Sequence, residues 1–387
     1  MNILFFDEPN IRKALLPLTF TRPVAELRIG IYTIREKWQQ YFLNAHCYFK
    51  TEDYLQGKFP STAHADLTIN GAVCPNEHLV AEINKLANGE GLVARGMVLA
   101  YKGVLKKRID YFQEACIIES SSDLFTHNGS EIRADFHLIT KGRVTAEIED
   151  KHTIVYKPFD VFIEAGVKIR AAIINAEDGP VYIGKHVEIQ EGAIIKGPFA
   201  ACEGAVVAMG AKMRGDNTLG PYCKVGGEVS NTIFIGYSNK VHDGFIGNSV
   251  IGEWCNLAAG TNVSNLKNNY SSIKVHSYTS DDLEDTGKIF HGLIMGDYSR
   301  CGINAMFNTG SVVGVSCNVY DAAFPPKFIP SFAWGGAAGF SEFRLTEAFE
   351  VARKGMARRN VVLTEEDVKI LTHVFHVENQ QRLKLLK

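Results

Sequence analysis

Residues 183–226 read IGKHVEIQEGAIIKGPFAACEGAVVAMGAKMRGDNTLGPYCKVG, and a small or apolar residue recurs in them at every sixth position. A period of six fits neither the 3.6-residue repeat of a helix nor the two-residue alternation of a strand. It is typical of hexapeptide repeats, in which each hexad forms one flat side of a triangular coil with one side chain inward. Every sixth residue is small or apolar, eight times in succession: Ile183, Ile189, Ile195, Ala201, Val207, Met213, Leu219 and Val225.

The same period recurs on both sides of this stretch in a shifted register. The predicted inward positions there are Val161, Val167 and Ile173, then Ile251, Leu257 and Val263, then Met295, Cys301, Phe307, Val313 and Val319. Glycines follow several inward positions, for example Gly184 and Gly220, where we expect backbone conformations that a Cβ would disfavour. Residues 155–320 are therefore predicted to form a left-handed parallel β-helix.

Two segments interrupt the period. Residues 175–180 (NAEDGP) are predicted to be a turn that resets the register. Residues 264–294, called the excursion below, are polar and off-period, so we expect them to leave the coil as a loop or extended hairpin. Long excursions of this kind often carry function.

The flanking regions predict different structures. Residues 1–150 alternate apolar strands (3–6, 67–69, 92–94 and 98–101) with helices (32–42 and 78–86), which indicates an α/β domain with a largely parallel sheet. Residues 324–330 (FPPKFIP), called the strap, should cross the coil surface in an extended conformation. Thr346 should open a helix, and Thr364 should cap another. The predicted domains are residues 1–150, 151–323 and 324–387.

Composition narrows the class of protein. With 46% hydrophobic residues, 22% charged residues and a formal charge of −2, the 387-residue chain has no overall attraction to nucleic acid or an anionic membrane. Its N-terminal apolar run is too short for a signal sequence, so we expect a soluble cytoplasmic protein. The eight cysteines are scattered without a CxxC pair, which predicts neither a zinc cluster nor a disulfide framework.

Several motifs resemble a known family. Residues 16–23 (LPLTFTRP), 236–244 (GYSNKVHDG) and 326–330 (PKFIP) resemble the bifunctional UDP-N-acetylglucosamine pyrophosphorylase/glucosamine-1-phosphate N-acetyltransferases, and most closely their variant Bacteroidetes-type branch. This resemblance covers nearly the whole chain. It implies an α/β nucleotidyltransferase-like (Rossmann-like) N-terminal domain, a left-handed parallel β-helix of hexapeptide repeats and a C-terminal helical tail, assembled as a homotrimer.

The acetyltransferase residues are implied by order and spacing. Residues 241–247 (VHDGFIG), 256–261 (NLAAGT) and then Asn269-Tyr270 match the family's acetyl-transfer site, with His242 as the catalytic base and Asn256 binding the amino sugar. Asn269, Tyr270 and Lys274 would reach a neighbouring subunit's site. Phe245 stands where the family usually has a tyrosine, and there is no counterpart of the family's usual phosphate-binding lysine near Asn231. Arg214 is the best remaining candidate for a phosphate contact.

The chemistry independently requires a base. An amino sugar is largely ammonium near neutral pH, and only its free amine attacks a thioester, so a neutral imidazole has to accept the proton. No covalent nucleophile is needed. The alternative interpretation of His242 is a corner histidine with a satisfied ring; His276 and His291, on the excursion, are weaker candidates for the base.

The N-terminal motif departs further from the family pattern. Pro17-Leu18-Thr19 is present, but no glycine precedes Gly30 and Val24 replaces the lysine that usually follows the proline. The nucleotide phosphates would then be bound by Arg12, Lys13, Thr19 and Arg22, with help from Arg28. Mg²⁺ would depend on Asn70, which replaces the usual aspartate and is a weaker ligand.

The resemblance implies a transferase that acetylates glucosamine 1-phosphate with acetyl-CoA and then transfers a uridylyl group from UTP, giving a UDP-amino sugar for cell-envelope synthesis. Two alternatives stay open: nucleotidyl transfer alone with the β-helix as a trimer scaffold, or a non-catalytic sugar-nucleotide sensor. The sugar, the base of the NTP, the acyl group and the activity of the N-terminal domain stay open as well.

Overall fold

The computed structural model describes residues 1–321 and 323–386, which form an N-terminal sheet domain, a long parallel coil and a helical tail. The six sheet strands lie in the spatial order 46–50, 2–6, 67–70, 97–101, 90–94 and 107–110. They are Asn2–Phe6, His46–Lys50, Leu67–Asn70, Glu90–Ala94, Met97–Tyr101 and Lys107–Asp110. Three of the pairings are parallel, but Met97–Tyr101 runs antiparallel to both of its neighbours. The sheet is therefore mixed rather than largely parallel.

Helices α1 (Pro9–Ala14), α2 (Ile34–Tyr41) and α3 (Glu77–Lys85) belong to this domain. The predicted helices at 32–42 and 78–86 are confirmed as α2 and α3. Thr33 begins α2 with a capping box, in which its hydroxyl accepts from the Glu36 N–H and Glu36 accepts from the Thr33 N–H. Two-residue strands Arg28–Ile29 and Tyr32–Thr33 form a short hairpin before α2.

The longest helix, α4 (Ser121–Thr140), has no counterpart among the predicted elements. Its carboxylate Asp135 accepts from the Ile31 N–H at 2.8 Å and pairs with Lys37 at 2.6 Å, both in the N-terminal domain. The Asn128 amide donates to the Asp216 carbonyl at 2.8 Å, on the coil. Helix α4 therefore ties the sheet domain to the coil.

The predicted parallel β-helix is confirmed, because short strands stack in parallel register on three faces. Face A contains Val161–Ile163, Val181–Ile183, Phe199–Ala201, Asn217–Leu219, the ends of Glu228–Gly236 and Phe245–Glu253, Leu293–Met295, Ser311–Val313 and Phe328–Ile329. Face B contains Lys168–Ile169, Glu188–Ile189, Val206–Val207, Lys224–Val225, Asn239–Lys240, Asn256–Leu257, Arg300–Cys301, Asn318–Val319 and Ala333–Gly336. Face C contains Ile154–Tyr156, Ile173–Asn175, Ile194–Lys196, Lys212–Met213, the starts of the two nine-residue strands, Asn262–Val263 and Met306–Phe307.

The predicted inward column is correct over most of the coil. All eight positions from Ile183 to Val225, and the later blocks beginning at Ile251 and Met295, lie in one buried cluster. In the first block Val161 lies in the cluster as predicted, whereas Val167 only packs against it and Ile173 is half-buried. The other members of the cluster in this coil include Ile163, Ile169 and Ile174. Ile163 pairs with Ile183, twenty residues later, whereas Ile183 pairs with Ala201, eighteen residues later. The turn at 175–180 therefore lengthens this coil, and the register of the later blocks cannot be extended backwards through it.

The glycines that follow inward positions serve a different purpose from the predicted one. Gly220 and Gly226 do not have left-handed backbone conformations. Instead, a Cβ on either residue would lie 1.9 Å from a carbonyl oxygen of the next coil, that of Ile235 or Val241 respectively. Close stacking of successive coils therefore excludes a side chain at these positions.

One row of corners is occupied by aromatic residues in the left-handed region. Tyr222, Tyr237 and Trp254 have φ values of 56°, 54° and 60°. Their rings stack in sequence, with centroids 5.3 Å apart for the two tyrosines and 4.3 Å apart for Tyr237 and Trp254. Stacking between successive corners helps to hold backbone conformations that are unfavourable for large residues.

The excursion leaves the coil as predicted and forms a hairpin of Lys274–Ser277 and Asp282–Asp285. The strap prediction is correct in its extended conformation but wrong in its path. Phe328–Ile329 pairs in parallel with Ser311–Val313, and Ala333–Gly336 pairs with Asn318–Val319, so the strap adds a further coil rather than crossing the surface. Gly339–Glu342 closes the end as an antiparallel hairpin.

Helices α5 (Leu345–Ala357), α6 (Glu365–Val377) and α7 (Asn379–Leu385) complete the chain. The predicted cap is confirmed, since the Thr364 hydroxyl accepts from the Asp367 N–H at 3.1 Å. The helices bridge the other two parts: Lys58 of the sheet domain pairs with Asp367 at 2.7 Å, and Phe20 shares an apolar cluster with Ala352 and Val315. The division at residues 150 and 323 remains a proposal, because a second cluster runs from the sheet onto face A.

Within the described residues, no helix combines the length and the apolar character needed to cross a bilayer.

Candidate functional site

The turn that carries His242 lies at the end of a face B strand. Asn239–Lys240 ends the strand, and Lys240 occupies an inward position with no exposed surface. Its ammonium group donates to the backbone carbonyls of His242 at 2.7 Å and Asp243 at 3.3 Å. Burial lowers the pKa of Lys240 to about 8, although Asp243 opposes this effect. A buried cation thus holds the backbone of the turn while the His242 side chain remains exposed.

His242 and Asn256 line the same cleft, which has a volume of about 500 Å³ and is called the His242 cleft below. The coil forms its floor and α5 forms its opposite wall, through Ala352, Gly355 and Met356. The other lining residues come from face B, the aromatic corners and the end of α5: Lys224, Tyr237, Asn239, Val241, Trp254, Cys255, Leu257, Ala258, Ala259, Tyr298, Arg300, Ile303, Arg358 and Arg359.

The polar side chains on the floor form a ladder. Lys224 is in register with Asn239, Asn239 with Asn256, and Asn256 with Arg300. Parallel strands lie about 4.8 Å apart, so these four outward positions succeed one another along face B at that spacing. In the part of the chain that the structure describes, neither the His242 ring nor the Asn256 amide hydrogen-bonds to another residue, so both groups are free for a ligand.

Cys255 is the one cysteine among the lining residues, and its environment disfavours nucleophilic chemistry. Its side chain is 1% exposed, and its thiol donates to the Gly296 carbonyl at 3.2 Å. Burial raises the pKa of this thiol well above its ordinary value. Because the thiolate is the reactive form, Cys255 is an inert packing residue. The cleft is suited to general-base chemistry rather than covalent catalysis.

The other predicted acetyltransferase residues lie outside this cleft within one chain. Asn269 and Tyr270 are exposed on the excursion, with Tyr270 70% exposed, and Lys274 is exposed at the start of its hairpin. Arg214 lies on the coil and pairs with Glu228 at 2.8 Å. The structure therefore brings His242 and Asn256 together, and it leaves these four side chains at other surfaces.

The two histidines of the excursion are packing residues. His276 stacks on Phe328 with centroids 3.5 Å apart, and burial lowers its pKa. His291 has no exposed surface and contacts the edge of Phe125 at 5.2 Å between centroids; burial lowers its pKa to about 4. Neither residue lines the His242 cleft.

The predicted nucleotide-binding residues are mostly buried and bonded within the protein. Arg12 pairs with Asp7 at 3.1 Å and donates to the Thr19 carbonyl at 2.7 Å, while the Thr19 hydroxyl donates to the Arg12 carbonyl at 2.8 Å. Lys13 is exposed on α1. Asp7, Arg12 and Thr19 stabilise the connection that follows the first strand, at the carboxyl edge of the parallel strands where α/β sheets usually bind ligands.

Asn70 does not fit a metal site. Its side chain has no exposed surface, its amide nitrogen donates to the Val98 carbonyl at 3.2 Å, and its amide oxygen accepts from the Ala72 N–H at 3.0 Å. Both polar atoms are therefore engaged with the backbone in a side chain that has no exposed surface, which does not suit a Mg²⁺ ligand.

Arg22 faces the coil instead of the sheet edge. Its guanidinium pairs with Asp297, and with Glu253 at 3.2 Å, in an interdomain cavity of about 240 Å³. The carboxylates of Asp297 and Glu253 raise the pKa of the guanidinium further above its ordinary range, against the effect of burial. Arg28 lies nearby and donates to the Ile235 carbonyl at 3.1 Å. In this structure both arginines fasten the N-terminal domain to face A.

Sequence reasoning missed the cations of the His242 cleft. None of the sequence motifs includes Arg300, Arg358 or Arg359. A signal was available for Arg300, because counting outward positions along face B would have aligned it with Asn256. No sequence signal would have brought α5 to this face.

The chain is similar to known proteins in parts. Residues 3–144 match a family model described as sugar nucleotidyl transferase. The bifunctional protein GlmU of Methanocaldococcus jannaschii is 32% identical over 203 residues, which are 47% of this chain and 47% of that protein. A bifunctional sugar-1-phosphate nucleotidylyltransferase/acetyltransferase of Sulfurisphaera tokodaii is 28% identical over 163 residues, or 42% of this chain and 38% of that protein. The chain thus spans less than half the length of these relatives.

Among solved structures, the polySia specific acetyltransferase NeuO aligns with a TM-score of 0.28 at 14% identity, covering 51% of this chain and 85% of that one.

Proposed function

We propose that the His242 cleft transfers an acetyl group from acetyl-CoA to the amine of a hexosamine 1-phosphate, with glucosamine 1-phosphate as the first candidate. The observation that carries this proposal is the meeting of His242 and Asn256, both free of protein partners, in one cleft on a parallel β-helix. The bifunctional nucleotidylyltransferase/acetyltransferase named among the relatives supports the same reaction.

In this mechanism the amine nitrogen attacks the thioester carbonyl carbon while the neutral His242 ring accepts the proton that the amine loses. A C–N bond forms, the C–S bond breaks, and the departing thiolate takes the proton from the imidazolium. General-base catalysis of this kind contributes about 10²- to 10⁴-fold. Asn256 would orient the sugar, and backbone N–H groups near Ala258 and Ala259 would stabilise the oxyanion.

The exposed excursion supports a homotrimer in which each chain completes a neighbour's cleft. Asn269, Tyr270 and Lys274 project from the coil and do not line the cleft of their own chain. We expect the protein to sediment as a trimer, and we expect Tyr270→Ala to lower acetyl transfer without changing the mass of the assembly. A monomer with full activity would contradict this part of the proposal.

The test of acetyl transfer mixes the protein with acetyl-CoA and glucosamine 1-phosphate and follows free thiol. We expect His242→Ala to lower kcat by at least about 100-fold. Replacement of His152, an exposed histidine elsewhere on the chain, by alanine is the matched control and should leave the rate unchanged. Equal CoA release by wild type and His242→Ala would refute the assignment.

Uridylyl transfer to N-acetylglucosamine 1-phosphate is the second candidate activity, and the match of residues 3–144 to the sugar nucleotidyl transferase model favours it. The buried state of Arg12, Thr19 and Asn70 means that any nucleotide would bind through other groups or after a rearrangement. Mg²⁺-dependent pyrophosphate release from UTP and the sugar phosphate would support this activity. Absence of release with any NTP or sugar phosphate would favour a scaffold or sensor role for this domain.

A further inference from the structure

Four cationic residues line the His242 cleft: Lys224, Arg300, Arg358 and Arg359. None of its lining residues is a carboxylate. The chain as a whole has a formal charge of −2, so this excess of positive charge is local to the cleft. None of the four forms an ion pair with any residue that the structure describes. The Arg359 guanidinium donates to the Asn239 side-chain oxygen at 2.9 Å, and Arg300 approaches the Val351 carbonyl at 3.5 Å.

Arg300 is the most constrained of the four cations. Its Nε atom is buried and has no hydrogen-bond partner. A Cβ on Gly355 of α5 would lie 2.8 Å from the end of its guanidinium, so the helix packs closely over it. A buried donor without a partner is costly, and in native structures it often indicates a missing water or ligand.

The cations also repel one another. Burial lowers the pKa of the Arg300 guanidinium, and the proximity of Arg358 lowers it further. The pKa of Arg359 is lowered by burial in the same way, again with a contribution from Arg358. Charges of one sign gathered in a partly desolvated cleft are stabilised when an anion binds between them.

We propose that Arg300, Arg358 and Arg359, with Lys224, bind the phosphomonoester dianion of a ligand in the His242 cleft, and that α5 completes this site within a single chain. The inference rests on the proposed acetyl transfer for the identity of the ligand. Two phosphomonoesters meet the chemistry: the phosphate of the hexosamine 1-phosphate and the ribose 3′-phosphate of CoA. Planar guanidinium groups favour such oxygens because they donate two parallel hydrogen bonds.

The binding test uses isothermal titration of the full-length protein with glucosamine 1-phosphate, with 3′,5′-ADP and with inorganic phosphate. The variants are Arg300→Gln and Arg359→Gln, and Arg353→Gln is the matched control because it lies on α5, is exposed and does not line the cleft. We expect the first two to weaken binding of one phosphorylated ligand by about tenfold or more, as loss of a charge-assisted hydrogen bond would do. Arg353→Gln should bind as wild type does.

Kinetics identify the source of the phosphate. If the site binds CoA, wild type should have a lower KM for acetyl-CoA than for 3′-dephospho-acetyl-CoA. This difference in KM should disappear in the Arg300→Gln and Arg359→Gln variants, while kcat should change little. If the site binds the sugar phosphate, the difference in KM between glucosamine 1-phosphate and glucosamine should disappear in these two variants instead. Arg358→Gln, at an exposed position, tests the site without risk to folding.

The binding readout does not require turnover, so it separates this inference from the proposed reaction. If the protein binds a phosphorylated ligand through Arg300 and Arg359 but releases no CoA, the phosphate site is supported and the proposed acetyl transfer is refuted. The inference is overturned if wild type binds none of the three ligands, if Arg300→Gln and Arg359→Gln bind them within twofold of wild type, or if Arg353→Gln weakens binding equally.

Discussion

At the level of single residues, Lys240 is a cation in the apolar column of the coil. Its ammonium group satisfies two backbone carbonyls of the His242 turn, and its charged form is disfavoured by burial. Replacing a buried charge by an apolar group of similar length is often neutral for stability, whereas the freed carbonyls would let the turn move. Lys240 is thus a positioning residue for His242.

We therefore expect Lys240→Met to keep the melting temperature near that of wild type and to lower acetyl transfer by about tenfold or more, because small displacements of a base are costly. The loss should fall on kcat, measured by thiol release. Lys212→Met, at an exposed lysine of face C, serves as the control. Full activity of Lys240→Met would refute the positioning role.

His291 should make stability depend on pH. Its folded pKa of about 4 lies below the ordinary value of 6.5, so the unfolded chain binds more protons between these two values. The free energy of unfolding then rises with pH across this window, and up to about 3 kcal/mol is lost as pH falls from 6.5 to 4. Urea unfolding should show a flatter profile for His291→Gln than for His78→Gln, an exposed control. Identical slopes would contradict the assignment.

At the level of elements, successive coils approach so closely that some positions exclude a side chain. A Cβ at Gly220 would lie 1.9 Å from the Ile235 carbonyl oxygen, which belongs to backbone and cannot move aside cheaply. We expect Gly220→Ala to lower the free energy of unfolding by about 3 kcal/mol. Gly302→Ala is the control, since its nearest neighbour is a side-chain atom of Tyr320 at 3.1 Å. Equal melting temperatures for both variants would disprove the stacking argument.

The elements differ in how far the sequence predicts them. The coil is predictable because a six-residue period records which side chains point inward, and the period is interrupted only locally, for example at the turn at 175–180 and in the excursion. Helix α4 cannot be predicted in the same way, because its sequence (SSDLFTHNGSEIRADFHLIT) contains Gly129 and many polar residues with low helix propensity. Its stability comes from tertiary contacts such as Asp135 with Lys37, which link residues about a hundred positions apart.

At the level of the whole molecule, the sheet domain and the coil are joined through buried charges. Arg22 and Asp297 have side chains that are 7% and 3% exposed, and the Thr21 hydroxyl also donates to Asp297 at 2.6 Å. Removing one partner of a buried pair leaves an uncompensated charge. The arginine predicted to bind a nucleotide is thus, in this structure, part of the interdomain contact.

We expect Arg22→Gln to lower the free energy of unfolding by about 3 to 5 kcal/mol at neutral pH. The double variant Arg22→Gln/Asp297→Asn should recover part of this loss, because the unpaired carboxylate is removed as well. Chemical denaturation measures both values. If the loss of unfolding free energy in the double variant equalled or exceeded the sum of the losses in the two single variants, Arg22 and Asp297 would not act as a pair.

The sequence predicts His242 and Asn256 but not the arginines of the cleft, because the position of those arginines depends on how the whole chain packs. His242 and Asn256 are fourteen positions apart and stand on neighbouring coils, so a local pattern identifies them. Arg358 and Arg359 reach the same cleft through a helix that begins more than a hundred residues after His242. Their position depends on the packing of α5 against Val315 and Phe332, which no local pattern records.

The aromatic corners give the molecule an optical property. Trp254 is one of three tryptophans, lines the His242 cleft and stacks on Tyr237, whereas Trp38 has no exposed surface and lies in the sheet domain. Indole emission responds to the polarity and motion of its surroundings. Ligand entry, or displacement of α5, should therefore change the intrinsic fluorescence of the protein, and a Trp254→Phe variant should lose that response while the background from Trp38 and Trp334 remains.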